Sequence, residues 1–276
     1  MKTLQNLMSV LLISALSFTS CNKAEDVEVV QKVEVELNNK QMQNEKNPQD
    51  HEGALHNTFL DFFSKSFDGT KEMNQDKLIK LYSEFHTSQK IAFGDEQIKG
   101  YKKLFETYDM MAMGRPIPVL PPSLCRWFPA ICDLLSPSPT FPFGLPVGLL
   151  NEDNGGTSTE RTLKFIEQIK VNEAKLIADK SLSEEKRKAL LSQHAVARYS
   201  AGYWHNVNAI HKSKSPYFEP FQSEDIQAIC HTCDVVGADA AGAAVGALVG
   251  GVGAGPGAGI ASGAVVLEKA WNWFWN

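Results

Sequence analysis

The sequence predicts an all-α protein, and three observations carry that prediction. Large apolar residues recur at three- and four-residue spacing through both halves of the chain, as at Leu55, Phe59, Phe63 and Phe67. Helix-start signatures, Thr157-x-x-Glu160 and Ser181-x-x-Glu184, stand immediately before later periodic runs. Finally, Ala240 to Leu267 runs for 28 residues without a charge, with glycine at every fourth position, Gly242, Gly246 and Gly250, then Gly255, Gly259 and Gly263. Positions four apart share one helix face, so each set is a small-residue stripe that lets another helix backbone approach closely.

Taken in order, residues 1–20 begin with Lys2, continue through an apolar stretch from Leu7 to Leu16 and end in small residues, the layout of a secretory signal peptide. The next residues, Phe18-Thr19-Ser20-Cys21, resemble the lipobox of bacterial lipoproteins, with Phe18 where leucine is commoner. The resemblance covers the leader alone. It implies that Cys21 becomes the acylated mature N-terminus, carrying palmitate-type chains, and that the protein sits in the cell envelope, lipid-anchored to the outer membrane. Asn22-Lys23-Ala24-Glu25-Asp26 resembles the acidic tether of surface-displayed lipoproteins, although a plain solvated linker has the same composition. One acyl chain anchors only marginally, so stable attachment needs several chains or a second membrane contact.

Residues 21–54 read as a lipidated N-terminus and flexible tether. No aromatic residue occurs between Asn22 and Thr58, and a coil of that length reaches about 30–37 Å. The valine–glutamate alternation from Val33 to Leu37 is a weak strand signal.

An α-helical domain is expected over 55–222. Leu55 to Phe67 gives its first helix. Leu78, Leu81, Tyr82 and Phe85 follow Asn74 as a second, and Ile98, Tyr101, Phe105 and Tyr108 follow Asp95, read as an N-cap, as a third. Their aromatic stripes are packing faces rather than cofactor pockets. Nine of the thirteen prolines then fall between Pro116 and Pro146, inside a loop spanning 114–150 that no regular helix survives. Thr157-x-x-Glu160 opens a helix with Leu163, Ile166, Ile169 and Ile177 on its apolar face. Ser181-x-x-Glu184 opens another, with Leu190, His194, Ala197, Ala201 and Trp204 on one stripe.

Residues 223–276 form the last module. Beyond Cys21, four cysteines remain, Cys125, Cys132, Cys230 and Cys233. An even number in an exported chain points to disulfides; local pairing would staple the proline-rich loop, and crossed pairing would tie it to the C-terminal module. Cys230-His231-Thr232-Cys233 has CxxC spacing, but no second CxxC and no thioredoxin-like βαβ pattern accompanies it, so neither metal nor disulfide exchange is expected.

Chemistry is otherwise sparse. His194, His205, His211 and His231 stand at no HExxH spacing, and no GxSxG elbow or phosphate-binding loop occurs, so no enzyme, cofactor or metal is expected. With 27 basic against 32 acidic residues, and no basic patch interleaved with aromatics, nucleic acid is not an expected partner.

The glycine run, as one helix, would be about 42 Å long, enough to cross a hydrocarbon core of about 30 Å. Gly250-Gly251 and Gly255-Pro256-Gly257 interrupt it, however, and favour a turn. The expectation is a glycine-zipper helical hairpin whose arms are each too short to span. Its stripes resemble glycine-zipper membrane segments and the small-residue helices of pore-forming bacteriocins. Trp271, Trp273 and Trp275 follow, suited either to a membrane interface or to closing a core. Membrane lipid is thus the expected partner, with self-association through the zipper beside it. The function expected is a lipid-anchored envelope protein whose hairpin inserts or oligomerises; the alternative is a surface-displayed, bacteriocin-like membrane-permeabilising toxin.

Overall fold

The computed structural model describes residues 33–66, 75–100, 102, 145–150, 156–210, 231–248, 254–255 and 257–258. They are all-α: six helices bounded at both ends and one 3-10 turn, with no strand among the described residues. The chain divides after Val33, and all of these elements belong to the unit that begins at Glu34.

Residues 34–54, expected to belong to the tether over 21–54, lie in that unit, while 21–32 fall outside the described residues. Residues 34–37 form no regular element, and the single-turn helix α1, Asn39–Met42, comes next under a capping box in which Asn38 and Gln41 each bond the other's backbone. Leu37 and Met42 are buried. The segment is poor in large apolar residues, and side-chain hydrogen bonds fix it instead. Asn206 clamps Leu37 at both backbone groups, donating to its carbonyl at 2.7 Å and accepting from its amide at 2.8 Å.

Helix α2 spans Asp50–Ser66, starting earlier than its aromatic stripe because Asp50 and Glu52 complement the positive end of the helix dipole. Phe59, Leu60 and Phe63 are buried as the spacing predicts. Against them lies α3, Gln75–Ser88, whose Tyr82 stacks on Phe59 at 4.6 Å and whose Phe85 meets the same ring edge-on at 5.1 Å. Such pairs contribute about 0.5–1.5 kcal/mol each beyond the area they bury. Residues 95–100 are helical too, but Asp95 lies inside the helix rather than capping it. Gly94 accepts from the amide of Ile98, and its own amide donates to Gln97.

Val147–Leu150 forms a 3-10 turn at the end of the proline-rich stretch and buries Leu150 in the main core. Helix α4, Ser158–Ala178, opens under the predicted Thr157/Glu160 capping box. Ile177, expected on the apolar face, is 40% exposed, and Leu176 is buried in its place. Seven residues beyond Ile169 return within about 20° of its direction at 100° per residue, whereas eight overshoot by roughly 80°.

Helix α5, Glu184–Ala209, is capped by Ser183, whose Oγ accepts from Lys186 N at 3.2 Å. Ser181 is not the cap; its amide and hydroxyl both donate to Asp179. Leu190, His194, Ala197, Ala201 and Trp204 are all buried, as their stripe predicts, and α5 packs on α2, α4 and α6. It is therefore the axis of the fold. Its small residues permit close approach: a Cβ on Gly53 of α2 would lie 2.6 Å from the carbonyl oxygen of Ala195. Helix α6, His231–Leu248, carries the first glycine arm, and residues 254–255 and 257–258 are helical beyond it.

Candidate functional site

The glycine-rich arm is seated inside the domain. Val235, Val236, Ala240, Ala243 and Ala244 are buried to within 1%, and Gly242 and Gly246 are buried between them. Residues beyond the arm fold back over this face. A Cβ on Gly257 would stand 2.6 Å from Gly242 O and 2.8 Å from Gly246 Cα, so backbone meets backbone there. Ala254 and Ala258 pack with Ala243 and with Val196 of α5. Gly255 lies on α2, its amide donating to Glu52 Oε2 at 2.8 Å.

One carboxylate interrupts this apolar seat. Asp239 is fully buried, and its Oδ2 accepts from Ser200 Oγ at 2.6 Å and Trp204 Nε1 at 3.2 Å while lying 3.2 Å from His56 Nε2. On the other side of the imidazole, His56 Nδ1 lies 3.0 Å from Asn57 Oδ1, and the amide nitrogen of that asparagine donates to Tyr199 O. Both ring nitrogens thus face side-chain oxygens, Asn57 Oδ1 on one side and Asp239 Oδ2 on the other. Serine, histidine and aspartate are the residue types of a hydrolase triad, but their order here is different. The serine donates to the carboxylate rather than to the imidazole, and all three are sealed from solvent. That arrangement holds helices together; it does not activate a hydroxyl.

A second polar cluster secures residues 34–37. Glu34 receives the amides of Ser158 and Thr159, each at 2.8 Å, at the N-terminus of α4. Burial raises its pKa, but the bonds from Thr159 and Ser158 and the nearby His205 outweigh this and hold it below the ordinary carboxylate value. His205 Nε2 lies 2.9 Å from the carbonyl oxygen of Val35, an obligate acceptor, so that nitrogen carries the proton. Nδ1 then accepts from Ser158 Oγ at 3.0 Å. Burial pushes the His205 pKa down. The amides that could have cradled a substrate oxyanion are already occupied by Glu34, and the cluster works as a clip.

Of the glycines singled out in the sequence, Gly242 and Gly246 meet Gly257, which neither predicted stripe includes, whereas Gly255 lies against Glu52, Leu55 and His56 of α2. Cys21, Cys125, Cys132, Cys230, Gly250, Gly259, Gly263, Trp271, Trp273 and Trp275 lie outside the described residues, as does His211; of Cys233 and His231 only the helical backbone is described. Sequence reasoning does not single out His56, Ser200 or Asp239. The available signal is the position of Asp239, a carboxylate directly abutting the uncharged run.

Among the described residues, no group of histidine, cysteine and carboxylate side chains is placed to hold a metal ion, and no helix is long and apolar enough to cross a membrane. The chain matches no family model, no curated protein and no solved structure.

Proposed function

We propose that this chain is a lipid-anchored envelope protein, acylated at Cys21, whose C-terminal glycine-rich arms form a helical hairpin stored in the core of an α-helical domain and delivered into a membrane on release. The approach of Gly257 to the backbone of Gly242 and Gly246 is the observation that carries this reading. It is a close backbone contact that the small residues of the first stripe permit, made by Gly257 rather than by Gly255 of the second stripe, and it lies inside one chain. Insertion is favoured over self-association of the closed form, because these glycines are buried and offer no stripe to a second copy.

The storage has a physical rationale. A stretch dominated by alanine, glycine and valine is uncharged from Ala240 to Leu267 and, left exposed, would aggregate or partition into any apolar phase. Tethered near a bilayer by Cys21, it needs a protein seat to remain out of lipid.

Membrane extraction of the Cys21→Ala variant, alone and combined with Gly246→Leu, tests this. The expected result is that Cys21→Ala is extracted by salt and alkali, while the double variant, whose added side chain cannot fit the seat, stays with the membrane until detergent is added. A double variant that is fully soluble and monomeric would count against both insertion and self-association. Dye release from intact vesicles would favour the permeabilising-toxin alternative.

A further inference from the structure

We infer that Asp239 and its partners are the clasp that keeps the glycine-rich helix in its seat, so that loosening them transfers α6 and the residues after it to a lipid surface. This deepens the stored-hairpin reading and rests on it. From Val235 to Leu248 Asp239 is the sole charged residue. The remainder of that stretch is alanine, glycine, valine and leucine, and distinguishes poorly between an alanine-lined protein seat and hydrocarbon. The carboxylate distinguishes them sharply.

In the seat, Asp239 Oδ2 meets His56 Nε2 from α2 and accepts from Ser200 Oγ and Trp204 Nε1 from α5, at 3.2, 2.6 and 3.2 Å. In hydrocarbon it would have none of these, because helical backbone donors are committed within their own helix. The partners come from two different helices, so the clasp joins α6 to both at once. It also lies beside the second arm: His56 N is 3.2 Å from where a Cβ on Gly255 would stand, so opening the His56 side disturbs both arms. Burial of His56, Ser200, Trp204 and Asp239 to within 1% keeps water from competing for these bonds.

The test uses the full chain carrying Cys21→Ala, so that acylation does not mask the readout, with flotation on phosphatidylcholine–phosphatidylglycerol vesicles and circular dichroism for helix content. Ser200→Ala keeps the charge and removes one donor; its vesicle-bound fraction should rise about fivefold, the equivalent of one hydrogen bond. Asp239→Asn should raise it about tenfold or more with helix content retained. If Asp239→Asn does not fold, Ser200→Ala still decides. Arg198→Met, which weakens the domain away from the α6 seat, should not raise binding to the same degree when compared at equal distance from its melting temperature. Equal binding by that control, or parental binding by both clasp variants, overturns the clasp. The parent heated through its transition with vesicles and then cooled separates the two readings. Binding there, with unchanged clasp variants, removes the clasp alone, whereas no binding there removes the stored hairpin as well.

Discussion

Arg198 donates to Glu173 Oε1 from both Nε, at 3.1 Å, and Nη2, at 2.9 Å, and neither side chain has any solvent exposure. The pair is completed from the N-terminal segment. Asn44 and Asn47 donate to the two oxygens of Glu173, each at 2.6 Å, and Arg198 also reaches Asp50 and the carbonyl of Met42. Four segments of chain therefore meet at one buried charge pair.

Removing one partner should be costly because it strands the other. Arg198→Met is expected to lower stability by about 3–5 kcal/mol, measured by urea unfolding, while the double change Arg198→Met/Glu173→Leu should recover part of that loss. Additive losses in the double variant would show that the two residues are not coupled in this way.

The histidines give a pH dependence of definite sign. Burial lowers the pKa of both His205 and His86 from the ordinary value of 6.5. Between that value and the lower folded one, the unfolded chain binds more protons, so stability is fully present above about 6.5 and falls as pH drops towards the folded pKa. Glu34, also lowered, from 4.5, adds a separate loss as pH falls through its own folded value. His205→Gln, whose amide can donate to Val35 O and accept from Ser158, should flatten the first decline when melting temperature is followed from pH 8 to 5. An unchanged profile in that variant would exclude His205 as a contributor.

How much of this is legible in the sequence depends on which force fixes each segment. Hydrophobic spacing marks Phe59, Phe63, Phe85, Ile169 and Trp204 as core, because apolar periodicity is what packing requires. The Thr157/Glu160 box is readable because both of its bonds are local. Residues 34–50 are not, because Asn44, Asn47 and Asn206 hold them through partners more than a hundred positions away, and a polar composition looks the same in a linker. Asp239 escapes notice for a related reason: a lone carboxylate becomes informative only once His56, Ser200 and Trp204 are seen around it.

Helix α3 ends on a residue poorly suited to its backbone. Lys90 has φ of 56°, while its amide bonds Thr87 O and that of Ile91 bonds His86 O, the paired closure of a helix C-terminus that glycine usually provides. A side chain there is strained by about 1–2 kcal/mol, partly offset by the freedom glycine adds to the unfolded chain. Lys90→Gly should therefore stabilise the protein by about 0.5–1 kcal/mol in thermal or denaturant unfolding. A loss of stability would show that the lysine side chain makes a contact that outweighs the strain.

Two glycines near and within α6 should respond in opposite directions to the same substitution. Gly237 has open space where a Cβ would go, so Gly237→Ala adds helix propensity without collision and should gain about 0.5–1 kcal/mol. Gly257 faces the backbone of Gly242 and Gly246 within 2.8 Å, and backbone cannot swing aside as a flexible side chain can, so Gly257→Ala should lose about 1–3 kcal/mol. Denaturant unfolding of the two variants measures the contrast directly. If Gly257→Ala were as stable as Gly237→Ala, the close approach of the second arm to α6 would not be present in solution, and the case for a hairpin closed through its glycines would fall with it.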